Sequence, residues 1–81
     1  IWVTDMTVSA ICHGASLAVP GISKLHNHIE PDQLVAIFTL KDELVSFGRA
    51  LMNSKKMMGK KGLAVKTDKV IMDIDVYPKM N

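Results

Sequence analysis

The sequence predicts a mainly β fold, a partly open barrel of mixed strands with two short helices packed at its ends. Three observations point there. Segments rich in β-branched and apolar residues outnumber the two short stretches with helical periodicity. Turn residues punctuate the chain between them, at Pro20-Gly21, Pro31-Asp32, Lys41-Asp42 and Gly59. The last long strand breaks its own inward–outward alternation, as a strand does when a bulge bends it around a small barrel. With 81 residues the chain is one domain near the lower limit for a self-sufficient core.

Each element follows in order. Ile1 to Val3 reads as a short strand. Thr4 or Asp5 offers a side-chain oxygen to cap a helix, which ends at Gly14 in the left-handed conformation. Val8, Ile11, Cys12 and Ala15 recur at spacings of three and four and predict one buried stripe. After Pro20-Gly21, Ile22 to Leu25 resumes as an extended segment, and His26 to Gln33 is a polar loop. Leu34 to Leu40 is almost continuously apolar, the pattern of a strand covered on both faces. Lys41-Asp42 turns a hairpin into Glu43 to Met52, where Gly48 marks a bend or bulge. Asn53 to Gly59 is a helical turn or two, capped by Asn53 or Ser54 and stopped at Gly59. In Gly62 to Asp73, Leu63 and Val65 share one face but Val70 and Met72 take the other, which predicts a slip near Thr67 to Lys69. Tyr77-Pro78 is expected to close the barrel edge.

The apolar fraction of 48% and charged fraction of 22% are those of a folded domain and exclude wholesale disorder. The apolar run at 34–40 is far too short to span a bilayer, so no membrane partner is expected. Ile1 opens directly in a strand-like run, which reads as a piece of a longer protein. Cys12 is the single cysteine, which excludes an internal disulfide and fits a reducing cytoplasm. The net charge of +2 hides an asymmetry: residues 1–48 sum to −3 and residues 49–81 to +5. Lysines at 55, 56, 60, 61, 66 and 69 fall together with only Asp68 among them. Such a cluster is either a solubilising surface or a phosphate-seeking face.

The stretch Ile11-Cys-His-Gly-Ala-Ser-Leu-Ala-Val-Pro-Gly-Ile22 carries most of the functional signal. Two glycines and several alanine or serine residues leave the backbone nearly bare, so it can approach another molecule, and a nucleotide is a natural candidate.

This stretch has company along the chain. Val8-Ser-Ala-Ile-Cys-His-Gly-Ala15, Leu17-Ala-Val-Pro-Gly-Ile22, Val35-Ala-Ile-Phe-Thr-Leu-Lys41, Ala50-Leu-Met52 and Tyr77-Pro78 occur in that order. Together they resemble the PUA domain, the RNA-binding module at the carboxyl end of pseudouridine synthases and archaeosine transglycosylases. The likeness is greatest to archaeal dyskerin-type synthases of H/ACA guide ribonucleoproteins and runs from Ile1 to about Lys79. Asp42 stands where relatives often have Gly, and Asp32-Gln33 where they often have Gly-Asp.

The resemblance implies a PUA-type pseudobarrel that is the C-terminal part of a longer pseudouridine synthase. It implies that residues 1–81 hold the 3′ ACA tail of a guide RNA, with the adjoining stem gripped through its phosphates. Carried onto this chain, the tail pocket is His13, Gly14, Ala15, Leu17, Ala18, Pro20 and Gly21. The phosphate contacts are Lys24, Arg49, Lys66 and Lys69, with Lys55 and Lys56 behind them. Expected partners are the guide RNA, the synthase's own catalytic domain and other subunits of the ribonucleoprotein. Two other readings remain open: a PUA domain holding a tRNA acceptor end, and a protein-docking domain presenting Val3, Met57 and Val76.

Other chemistry is not expected. Cys12 and His13 point about 100° apart on a helix and cannot share an ion or form a nucleophile pair. His26 and His28 lie in a polar loop without a cysteine pair, so no zinc and no cofactor are predicted. The carboxylates form no acid/base pair, and the family's catalytic aspartate belongs to a domain whose motif is absent, so this piece alone is not an enzyme.

Overall fold

The computed structural model describes residues 1–73. Nine short elements alternate along them. Strand β1 (Trp2–Val3) leads to helix α1 (Asp5–Cys12), strand β2 (Leu17–Ala18), a 3₁₀ turn (Val19–Gly21) and strand β3 (Ile22–Lys24). Strands β4 (Leu34–Phe38) and β5 (Leu44–Ala50) form the hairpin, and α2 (Ser54–Met57) precedes strand β6 (Leu63–Val70).

The strands make one six-stranded sheet in the order β2-β6-β5-β4-β1-β3. It is mixed: β1 runs parallel to β4, and the other pairings are antiparallel. The edge strands β2 and β3 are neighbours in sequence, joined only by the Val19–Gly21 turn. In a flat sheet of six strands the edges would lie about 24 Å apart. Four Cα steps from Ala18 to Ile22 reach at most about 14 Å. The sheet must therefore curl until its edges meet at that turn, although they do not pair. The result is the partly open mixed barrel the sequence predicts.

Inside the curl Val3, Val8, Ile11, Leu17, Ile37, Val45, Ala64 and Val65 are almost wholly buried. Four irregularities interrupt the sheet's pairing: one leaves Ser23 extra opposite Trp2–Val3 on the edge strand, and the other three keep side chains facing inward. Val45 is an extra residue opposite the Ile37–Phe38 step, Ala64 opposite Leu17–Ala18, and Asp68 opposite Phe47–Gly48. The predicted slip near Thr67 to Lys69 is thus the Asp68 bulge. Gly48 sits across from it for a packing reason: a Cβ there would stand 2.5 Å from Val65 Cγ1 and 2.6 Å from the Lys66 carbonyl.

Several expectations need correction. β4 is not covered on both faces: Val35 and Ile37 are buried, Leu34 is exposed, and Ala36 and Phe38 are half-buried. Only its inner face meets the core, because neither helix lies over the outer one. Ala15 is exposed rather than part of the α1 stripe, since the chain leaves the helix at Gly14. Thr4 caps α1 in position, but its hydroxyl pairs with the Thr7 hydroxyl at 2.9 Å, not with a backbone N–H. Val3 and Met57, expected to face a protein partner, are core residues. The expected edge closure by Tyr77-Pro78, and Val76, lie outside the described residues. Asn53 does cap α2, accepting from the Lys56 N–H at 2.9 Å. Asp42 takes the left-handed turn position at φ 65° and accepts from Trp2 Nε1 at 2.7 Å.

Ser46 faces the core beside Ile37, and its hydroxyl has no hydrogen-bond partner among the described residues. A buried hydroxyl left unpaired costs about 1–3 kcal/mol. Ser46→Ala should raise unfolding stability by about 1 kcal/mol, seen as a higher urea midpoint at unchanged slope.

Candidate nucleic-acid interface

The bare segment begins at the end of α1. Its last turn closes by a Schellman arrangement: Gly14 N–H donates to Ile11 O at 2.8 Å and Ala15 N–H to Ala10 O at 3.0 Å. This requires a left-handed residue, and Gly14 has φ 92°. A Cβ placed on Gly14 would meet nothing within 4 Å, so the space above it is open. His13 is exposed beside it, and its Nδ1 lies 2.8 Å from Ser9 O. A carbonyl only accepts, so Nδ1 carries the hydrogen of this bond and Nε2 is the ring nitrogen it leaves unused.

Beyond Gly14, the Thr67 hydroxyl donates to Ala15 O at 2.7 Å, tying the segment to β6. Ala15, Ala18 and Pro20 are exposed. Leu17 is fully buried, so its side chain anchors the segment to the core and cannot face a ligand. Gly21 also has another reason to be glycine. A Cβ there would lie 2.5 Å from Thr7 Oγ1 and 2.9 Å from Thr7 Cγ2, so the residue lets the turn pack on α1. The surface available to a ligand is therefore 13–16, Ala18 and Pro20.

The cations divide into two groups. Arg49 and Lys66 are direct cross-strand partners on β5 and β6, with exposed Leu34 completing the row on β4. Lys69 pairs with Phe47. In a regular strand residues 66 and 69 would face opposite ways, but the Asp68 bulge returns Lys69 to the outer face. All three belong to the strands that lead from Thr67 and the bare segment. Like charges directly opposite destabilise a strand pair, and a bound phosphate relieves that repulsion. The Arg49 Nη1 also donates to Asp32 O at 3.3 Å, which steadies the guanidinium. Lys24 lies apart, on the far edge strand β3, with its Nζ 4.4 Å from the centre of the Trp2 ring. Lys55 and Lys56 are exposed on α2.

Sequence reasoning missed Thr67 and Leu63. Leu63 pairs with Ala18 and is 55% exposed, an apolar neighbour to the bare segment. Neither could be read from alternation, because irregularities at Ala64 and Asp68 shift the phase on both sides.

Cys12 is buried on the core side of α1. Burial pushes its thiol pKa up, and the nearby charge of Asp73 adds to this. Among the described residues no three His, Cys, Asp or Glu side chains gather as a metal would require. No helix among them is long and apolar enough to cross a membrane.

The PUA domain family model matches residues 1–71. The chain is 56% identical over 81 residues to a probable tRNA pseudouridine synthase B of Pyrococcus furiosus, covering 99% of this chain and 24% of that protein. To the corresponding protein of Nanoarchaeum equitans it is 54% identical, covering 99% and 23%. The chain thus spans about a quarter of the length of these curated relatives. Among solved structures it superimposes on a chain of an H/ACA RNP bound to a substrate RNA containing 2′-deoxyuridine, with TM-score 0.92 and 55% identity over 95% of this chain and 25% of that one. A Cbf5-Nop10-Gar1 complex gives TM-score 0.92 and 54% identity over 99% and 25%. A conserved PUA domain protein from Thermoplasma acidophilum shares the fold, with TM-score 0.84 at 24% identity over 95% of this chain and 53% of that one.

Two outcomes test the site's construction. Gly21→Ala should lower stability by about 1–3 kcal/mol, and Thr7→Ala in the same molecule should recover most of it, a coupling read from a double-mutant cycle in urea. The Cys12 thiol should react with a disulfide reagent at pH 8 at least tenfold more slowly in the folded than the unfolded protein. Because the folded thiol holds its proton longer, stability should fall as pH rises past about 8.5, where the unfolded thiol ionises, a slope absent in Cys12→Ala.

Proposed function

The chain belongs to the PUA domain family, and from that premise we propose that it holds the 3′ ACA tail and adjoining stem of an H/ACA guide RNA. One observation carries the reading. A nearly side-chain-free segment, fixed by its Schellman turn and by Thr67, lies open beside a like-charged Arg49–Lys66 pair. Single-stranded bases are read on their edges, and backbone groups reach those edges only where side chains do not intervene. The outward N–H and C=O groups of 13–16, His13 Nε2 and the Pro20 and Ala18 surfaces supply edge contacts and apolar cover. Arg49, Lys66 and Lys69 take the stem phosphates.

The parent protein is then an RNA pseudouridine synthase of about four times this length, with its chemistry in a separate domain. This module acts by position: fixing the guide raises the effective concentration of the target uridine at the distant active site. Its wider partners are that catalytic domain and the other proteins of the ribonucleoprotein. A single buried, unpaired cysteine suits the reducing cytoplasm in which such a particle works.

Anisotropy with a labelled hairpin ending in ACA, the same hairpin with a scrambled tail, and tRNA tests this. The ACA hairpin should bind at least about fivefold more tightly than the scrambled one. Ala15→Trp should erase that preference while the melting temperature holds, since Ala15 is exposed and carries no backbone strain. Arg49→Ala or Lys66→Ala should weaken all tails alike and lower the salt slope by roughly 0.7 to 0.9 for each phosphate no longer neutralised. Equal binding of ACA and scrambled tails refutes the tail assignment; tighter binding of tRNA favours an acceptor-end module.

A further inference from the structure

The open seam of the barrel forms a cleft of ≈ 470 Å³ beside edge strand β3, lined by Ile22, Lys24, Leu25, Asn27, Met58 and Gly59 among others. Its size falls within the range of small-molecule sites, roughly 300–1,000 Å³. It lies beyond the Val19–Gly21 turn from the bare segment and shares no lining residue with the tail pocket.

Its electrostatics follow from the sequence. The two walls come from acid-free stretches: no Asp or Glu occurs between Asp5 and Glu30, or between Glu43 and Asp68. Lys24 stands in the lining itself, and exposed Lys55, Lys56 and Lys60 flank Met57, Met58 and Gly59 along the chain. An anion entering the cleft meets lysines on the flanking chain and, among the described residues, no carboxylate in the lining.

The lining also suits a flat ring with a polar edge. Ile22, Leu25 and Met58 offer apolar surface, and Met58 is 72% exposed, an unbranched thioether at the rim free to lie over a ring face. Asn27 is exposed, and its amide presents donors and an acceptor together, the complement of a base edge. Lys24 rests over Trp2 at 4.4 Å, an exposed cation–π contact weak enough for a phosphate to draw it away.

We infer that the seam takes one nucleotide of single-stranded RNA, with its base against Met58 and Leu25, its edge on Asn27 and its phosphate on Lys24. The site shares with the function proposed above only the class of ligand. An acidic peptide satisfies the charge but has no use for the apolar slot beside an amide.

The test uses a fluorescein-labelled A5 RNA pentamer and anisotropy at low salt. Asn27→Glu should weaken binding about tenfold and Met58→Ala about threefold. Leu40→Glu, with the same charge change but on the exposed hairpin tip, should change it less than twofold. Circular dichroism melts establish that each variant folds. The inference fails if Asn27→Glu and Met58→Ala both stay within twofold of the parent. It fails also if Ala15→Trp alone abolishes pentamer binding, which leaves the tail pocket as the sole site. Competition by a penta-glutamate peptide as strong as by unlabelled pentamer overturns it in favour of an acidic protein partner. Pentamer loss in the cleft variants, with no tail preference in the hairpins, supports the seam while removing the tail assignment.

Discussion

The structure hangs on a length constraint: two strands at opposite edges of a six-stranded sheet are separated by three residues. That link forces the sheet to curl, and the curl gives so short a chain an enclosed core. The turn is held from both sides. Thr4 N–H donates to Gly21 O at 3.0 Å, and Val19 N–H donates to Gly62 O at 2.9 Å. Thr7 occupies the space a Gly21 side chain would need, so α1 seats directly on the closure. Burial of Val19 and Leu17 follows from the same geometry, because residues entering the turn are drawn inside the curl.

Curling a short sheet strains its alternation, and the bulges at Val45, Ala64 and Asp68 are the response. Each inserts one residue where the partner strand has none, bending the strand and returning apolar side chains inward. Their effect on the outer face matters equally. Without the Asp68 bulge, Lys66 and Lys69 would lie on opposite faces. With it, both join Arg49 on the solvent side of adjacent strands. The basic face and the core thus arise from one feature.

This explains what could be read from the chain and what could not. Local signals were legible: the Gly14 helix stop, the Asn53 cap, the Lys41-Asp42 hairpin, and the phase break near Asp68 each depend on residues a few positions apart. Leu17 was not, because its burial depends on pairing with Val65, 48 positions away, and on the curl. Gly21 looked like its fellow Gly14, yet one is glycine for backbone conformation under open space and the other for contact with Thr7. Thr67 gave no signal at all, since a single threonine on a strand becomes meaningful only when the fold sets it against Ala15. The five ordered motifs identified the family correctly because they sample these long-range demands together, which composition and periodicity do not.

A reader of RNA built from backbone groups must be rigid before it binds, since a mobile loop would pay its ordering cost out of the binding energy. Here rigidity comes from three directions: the helix end below Gly14, β6 through Thr67, and the core through Leu17. None of these ties uses the face left for a ligand, so stability and recognition do not compete for the same atoms. The cations contribute differently, because phosphate attraction tolerates flexible side chains and sets register more than identity. Under the proposed function, specificity belongs to the Val19–Gly21 side of the barrel and general affinity to the β5–β6 face. A strand crossing the turn would then meet the seam cleft next, where Lys24 and Asn27 again combine one phosphate-seeking group with one edge-reading group.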